Sequence, residues 1–268
     1  MDSVLPGLFA EDSITRRVNR ENILLLGGGR AILMQLAHPK VAHGVDEHSD
    51  FRTQPIRRLR RTIRMTMAVV FGDRETALGA ARAVNQVHAG VRGSGYRALD
   101  PDLLLWVHAT LADTALLTYE TFVQRLTPRE REAFYQEFKL LGELLGIPDA
   151  RFPATLRDFA AYLEDMMSSG PVRVEARARE LARQILRPGV RLLPGPVMVP
   201  LEIITTGLLP PTLREQYGLA WGPSQQRVYR LALRTLPRLI SLTPTRIRVW
   251  PLPGRTLRLT PRGRAVSS

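Results

Sequence analysis

Proline and capping residues cut this chain into helical lengths and leave little room for strands. Asp100-Pro101 sets a capping carboxylate before a proline at the first helical position, where a missing N–H costs nothing. Thr127-Pro128-Arg129-Glu130 is a capping box with proline inside it. Segment 55–71, PIRRLRRTIRMTMAVVF, starts with proline and continues as a strong helix. Further helices are expected over 14–26, ending at Gly27–Gly29, and over 30–38, ending at Pro39. Others follow over 74–89, from Asp100 to about Arg125, from Thr127 to Gly146, over 154–168, over 174–187, from Thr212-x-x-Glu215, and over 223–240. There is no run of alternating strands and no internal repeat. The expected fold is all-α: one domain of eight to ten helices over 1–244, then a basic, flexible tail over 245–268. Between Pro188 and Pro211 the chain is apolar and proline-rich, and prolines 194, 196 and 200 argue against a continuous helix there. That stretch reads either as a packed connector or as a hydrophobic lid for an apolar ligand.

All five histidines fall at His38, His43, His48, His88 and His108, in the first part of 268 residues. Imidazole is the commonest metal ligand and titrates near neutrality, so this part of the chain is where a polar site is expected. The absence of cysteine excludes disulfides, thiolate metal sites and a cysteine nucleophile. The N-terminus lacks the basic start and apolar run of a secretory signal, and no window is apolar enough to span a bilayer. A cytoplasmic protein is expected. The net charge of +13 invites a nucleic-acid reading. Only Lys40 and Lys139 are lysines, however, and arginine abundance of that kind reflects a GC-rich genome without requiring a partner.

Arg58, Arg61 and Thr62 stand at i, i+3 and i+4 and share one helix face. They are read either as a solvated surface or as partners of a buried anion, since Ile63, Met67, Val70 and Phe71 make the rest of that helix apolar. His88 ends an alanine-rich helix with Arg92 four residues on; Gly90, Gly93 and Gly95 would let something flat and large approach. A helix-end histidine favoured by the macrodipole is the plainer alternative. His108 lies in the most hydrophobic segment, LLLWVHATLADTALL, as a core histidine or a ligand. Thr110, Thr114 and Thr118 form a mild polar stripe that back-bonding to preceding carbonyls could satisfy. His43 and Glu47, with His48 beside them, have metal-ligand spacing in a locally irregular sequence. No H-E-x-x-H, dinucleotide fingerprint, P-loop or nucleophile elbow is present.

The ordered segments GGGRAILMQLAHPKVAHGVDEHSDF, PIRRLRRTIRMTMAVVFGD, VHAGVRG, YRALDPDLLLWVHATL and LLGIP resemble the mycophenolic-acid oxygenase B family. The rubber-cleaving latex clearing proteins also belong to it. The resemblance runs in order from about residue 20 to residue 240. It implies an all-helical protein carrying haem b, which cleaves carbon–carbon double bonds of apolar isoprenoid chains with dioxygen. By it, His88 corresponds to the proximal iron ligand. Arg58, Arg61 and Thr62 match the family's distal Arg-x-x-Lys-Thr group, with arginine where the rubber enzymes have lysine. Arginine stays protonated and has no lone pair for iron. Glu47 and His48 are the nearest candidates for the family's catalytic glutamate. Arg58 or Arg92 would meet the haem propionates, and His108 would pack beside the ring.

The expected function is therefore a haem b-dependent oxygenase taking dioxygen and an apolar small molecule, with no nucleic-acid partner. Catalytic roles fall to Arg61, Thr62, Glu47 and His48, and cofactor binding to His88, Arg58, Arg92 and His108. Two alternatives remain open: a haem protein for binding or sensing without turnover, and an arginine-rich binder of nucleic acid or membrane surfaces.

Overall fold

Helix α6, Pro101–Phe122, is buried on nearly every side, and the other elements are arranged around it. In the computed structural model the described residues are 7–49, 54–168, 170–187 and 195–250. Before α6 come α1 (Ile14–Asn19), a 3-10 turn (Asn22–Gly27), α2 (Gly28–Leu36), α3 (Pro39–His48), α4 (Pro55–Phe71) and α5 (Arg74–Gly90). A two-residue hairpin, β1 (Arg92–Gly93) with β2 (Tyr96–Arg97), separates α5 from α6. After α6 come α7 (Pro128–Leu144), a 3-10 turn (Asp149–Arg151), α8 (Leu156–Ser168), α9 (Ala176–Leu186), α10 (Gly195–Leu208), α11 (Pro211–Gln216), α12 (Pro223–Leu242) and α13 (Thr245–Arg248). The all-α class holds. Of the thirteen α-helices among the described residues, ten have nine residues or more and three are short.

The caps form as the sequence dictates. Asp100 accepts from the Asp102 N–H, and Thr127 and Glu130 make the reciprocal capping box. Asp73 accepts from Thr76 N at 2.7 Å and starts α5. Three local expectations are corrected. Helix α10 continues through Pro200, giving up one backbone bond while its apolar length packs against α2 and α12. Residues 188–194 of the expected irregular stretch lie outside the described ones. Thr212 does not cap; α11 starts at Pro211, whose fixed φ suits a first position. The 39–48 segment, read as irregular, is a regular ten-residue helix capped by His38, whose Nδ1 accepts from Lys40 N.

Gly27 and Gly29 are where the first elements press onto α6 and α10. A Cβ on Gly27 would lie 2.4 Å from Thr118 Oγ1 and 2.7 Å from Thr114 Cγ2. One on Gly29 would lie 2.4 Å from Thr205 Oγ1. Small residues thus buy backbone proximity, which the next residue uses. Arg30 is only 5% exposed. It donates from Nη2 to Asp113 at 2.5 Å, from Nη1 to Thr114 Oγ1 at 2.6 Å and from Nε to the Leu208 carbonyl at 2.8 Å. One guanidinium thereby ties α2 to α6 and to the end of α10. The threonine stripe serves three ends: Thr110 bonds back to Val107 O, Thr114 accepts from Arg30, and Thr118 packs against Gly27.

The core is continuous around Leu33, Met34, Val70, Trp106, Phe134 and Leu181. A second cluster of Phe122, Ile204, Leu208 and Ile240 takes the inner face of α12. Residues 245–250, expected to belong to a loose tail, dock instead. Glu21, 1% exposed, meets Arg248 at 3.0 Å, Asn22 donates to Ile247 O, and Trp250 N donates to Arg20 O. Residues 251–268 lie outside the described ones. No helix among the described residues is long and apolar enough to cross a membrane.

His108 occupies an aromatic slot. Its ring stacks on Phe138 at 4.8 Å between centroids and meets Phe152 edge-on at 5.6 Å. Burial holds its protonation down to about 3. An unfolded histidine takes a proton near pH 6.5, so the unfolded chain gains protons below that pH that the folded chain refuses. Stability from this group is therefore full above about pH 6.5 and is lost as pH falls toward 3.

Two outcomes are expected. Gly29→Ala should lower the unfolding free energy by about 1–3 kcal/mol in urea titration, and adding Thr205→Ala should restore part of it. Between pH 7.5 and 4.5 the wild-type chain should lose about 2–3 kcal/mol more than His108→Leu does, read by the same titration.

Candidate active site

The sequence-predicted residues fall into two neighbouring groups and one outlier. The first group is gathered by Tyr96. Gly93 lets the Tyr96 ring lie directly over the hairpin backbone, since a Cβ there would sit 2.5 Å from the ring. At Gly93 the flat object admitted is thus this chain's own tyrosine, whereas Gly90 and Gly95 face open space. Its hydroxyl donates to Glu47 Oε2 at 2.6 Å. Burial first, and the Glu47 carboxylate second, push the phenol up to about 12, so it remains a proton-bearing donor. The rings of His43 and His48 each approach Tyr96 edge-on at 6.4 Å. His48 Nε2 lies 3.2 Å from the Arg92 carbonyl. From α9, Arg177 pairs with Asp46 at 2.6 Å and reaches Glu47 at 3.9 Å.

Arg92 itself is relocated. Helix α5 stops at Gly90, one residue past the expected end, and Arg92 stands exposed in β1 opposite Arg97. Its carbonyl, not its guanidinium, is what meets His48.

The second group is the α4–α5 pair. His88 lies in the last turn of α5, and its carbonyl accepts from Val91 N as the chain turns into the hairpin. The ring is half-buried, and Nδ1 is fully covered without a hydrogen-bond partner. Burial lowers its protonation below the ordinary histidine range, so the imidazole is neutral at pH 7 and keeps a lone pair. On α4 the C-terminal half is buried at Ala68, Val69 and Val70. The N-terminal half is open: Arg58 is half-buried, and Arg61 and Thr62 are exposed. Of the apolar residues expected to be buried, Val70 is buried and Ile63, Met67 and Phe71 are half-buried. Thr62 donates its hydroxyl to Arg58 O at 3.1 Å, a back-bond within the helix. Leu59 and Val87, 47% and 58% exposed, leave apolar surface on these two helices.

The groups adjoin where α3 meets the end of α5. Gly44 of α3 faces both Tyr96 and Val91, three residues beyond His88. His108 is the outlier, with its ring contacts on α7 and on Phe152, just after the 149–151 turn. Tyr96 and Arg177 escaped sequence reasoning. The glycines flanking Tyr96 were its one local signal, whereas Arg177 is 130 positions from its partners and carried none.

Among the described residues no group of three or more histidines and carboxylates could hold a bare metal ion. A metal arriving inside a macrocycle needs one axial donor, an apolar face and cations for its carboxylates. Neutral His88, the exposed apolar side chains of α4 and α5, and the arginines of α4 are of the right kinds.

Comparison with known proteins fixes the kinship. Residues 15–238 match the family described as "ER-bound oxygenase mpaB/B'/Rubber oxygenase, catalytic domain". Two curated relatives, one from Mycobacterium bovis and one from Mycobacterium tuberculosis, are each 29% identical over 239 residues. The alignment covers 82% of this chain and 92% of each relative, and both are described as uncharacterized proteins. No solved structure matches the chain. With the match spanning both residue groups and the α6 core, the chain belongs to the mpaB and rubber-oxygenase family of oxygenase catalytic domains.

Proposed function

We propose that the chain is a haem b-dependent oxygenase acting with dioxygen on an apolar small molecule. The observation that carries this reading is His88: a neutral imidazole with a covered, unpartnered nitrogen beside an open apolar face. Haem held there supplies the iron chemistry that activates dioxygen.

This chain's residues have separable tasks. His88 would hold the haem iron. Arg58 and Arg61, one turn apart, offer fixed positive charge along α4. Such charge would anchor the haem propionates or face developing negative charge without itself giving up a proton. Thr62 holds its own hydroxyl against Arg58 O and fixes the local geometry of that turn. Glu47 is an acid–base candidate whose position is set by the Tyr96 hydroxyl and the Arg177 guanidinium. His48 borders the same hub through Arg92 O. His108, sealed among Phe138 and Phe152, is a packing residue of the core behind the site. Leu59 and Val87 are the surface on which an apolar ring or chain gains by leaving water.

Purified protein should show a Soret band, and His88→Ala should lose haem in a pyridine haemochrome assay while keeping its helical circular dichroism. Haem retained at the wild-type ratio would assign the iron to another donor. Arg61→Lys introduces an amine that can lose its proton and bind iron, so it should shift the ferric spectrum toward a six-coordinate form as pH rises. An unchanged spectrum would place position 61 away from the iron.

A further inference from the structure

We propose that the outer face of α12 docks on an anionic lipid bilayer. The inner face of this helix is spent in the core, where Tyr229, Leu233, Leu236 and Ile240 meet Phe122, Ile204 and Leu208. On the opposite side Val228, Leu231, Leu239 and Leu242 recur at helical spacing, and the last three are 60%, 59% and 80% exposed. Arg227, Arg230, Arg234 and Arg238 form a row along one edge of this apolar stripe. The helix carries no acid, and neither does the chain from Gln216 to Ser268, which holds ten arginines. Much of the net charge of +13 therefore lies at one end of the sequence, beginning on this helix.

Apolar side chains beside a basic row describe a helix that lies in the plane of a bilayer surface. The leucines enter the acyl boundary and the guanidiniums stay with the phosphates, their stems buried alongside. A two-fold copy of this chain is a poorer occupant, because an isologous contact would set the arginine row against itself with no acid to neutralise it. A nucleic acid would use the arginines and leave the leucines idle. The contact is a surface one, since no described helix is long and apolar enough to span. Helix α13 and the docking of Arg248 on Glu21 hold the segment after α12 against the body, so the stripe belongs to a rigid element. None of this depends on the haem reading.

The test is co-sedimentation of the full chain with phosphatidylcholine vesicles, with and without phosphatidylglycerol, at low and high salt. Binding to the anionic vesicles alone is expected, weakened by salt. Leu231→Ser with Leu239→Ser should weaken it by about tenfold or more, as should Arg230→Gln with Arg234→Gln, while circular dichroism and haem content match wild type. No anionic binding would overturn the proposal. So would undiminished binding by the leucine variant, which would mean charge adsorption alone. A dimer in sedimentation velocity that the leucine variant disperses would assign the stripe to a second copy. Tighter binding to duplex DNA than to vesicles would assign it to nucleic acid.

Discussion

A single buried guanidinium organises this molecule. Arg30 reaches a carboxylate and a hydroxyl on α6 and a backbone carbonyl at the end of α10, drawing three elements to one point. A charge in that position is tolerable only when its donors are matched, because stripping the partner from a buried ion costs about 3–5 kcal/mol. Gly27 and Gly29 make the match possible by removing the atoms that would hold the helices apart. Close approach and charge pairing therefore support each other: the glycines without the arginine would leave the threonine and carboxylate unanswered, and the arginine without the glycines could not reach them.

The functional elements are positioned from this joint outward. Helix α2 leads through His38 directly into α3, which carries Glu47 and His48, and α9 closes over α3 through Arg177. A backbone bond from Arg173 N to Ala37 O and a side-chain bond from the Tyr217 hydroxyl to Leu33 O extend the same framework to the second half of the chain. The α4–α5 pair is the more open part, and it holds His88, whose Nδ1 is covered yet unanswered; the Nδ1 of His108 in the core is so too.

Much of the fold was legible in the sequence because its signals are local. Asp100-Pro101 and Thr127–Glu130 state their helix starts in four residues or fewer, and the structure obeys both. The errors arose where tertiary packing outweighs a local rule. Pro200 is carried within α10 because an apolar helix packed on two neighbours gains more than one backbone bond is worth. Arg92 was expected to meet a cofactor, but it lies in the β1 hairpin strand, where its carbonyl and not its guanidinium meets His48. Of the site, His88 stood out by composition and family resemblance. Tyr96 and Arg177 did not, for their importance lies in partners nearly 50 and 130 positions away.

The seating of Glu21 beneath Arg248 has a practical consequence for protein engineering. Removing the last turn would strand a carboxylate in the interior with only Arg20, at 3.6 Å, to answer it. Because desolvation already raises the affinity of that carboxyl for a proton, losing Arg248 would raise it further, and the penalty for carrying its charge would be greatest at neutral pH. Expression boundaries chosen from the end of α12 would thus yield an unstable product for an electrostatic reason, whereas a cut placed after Trp250 keeps the lock closed.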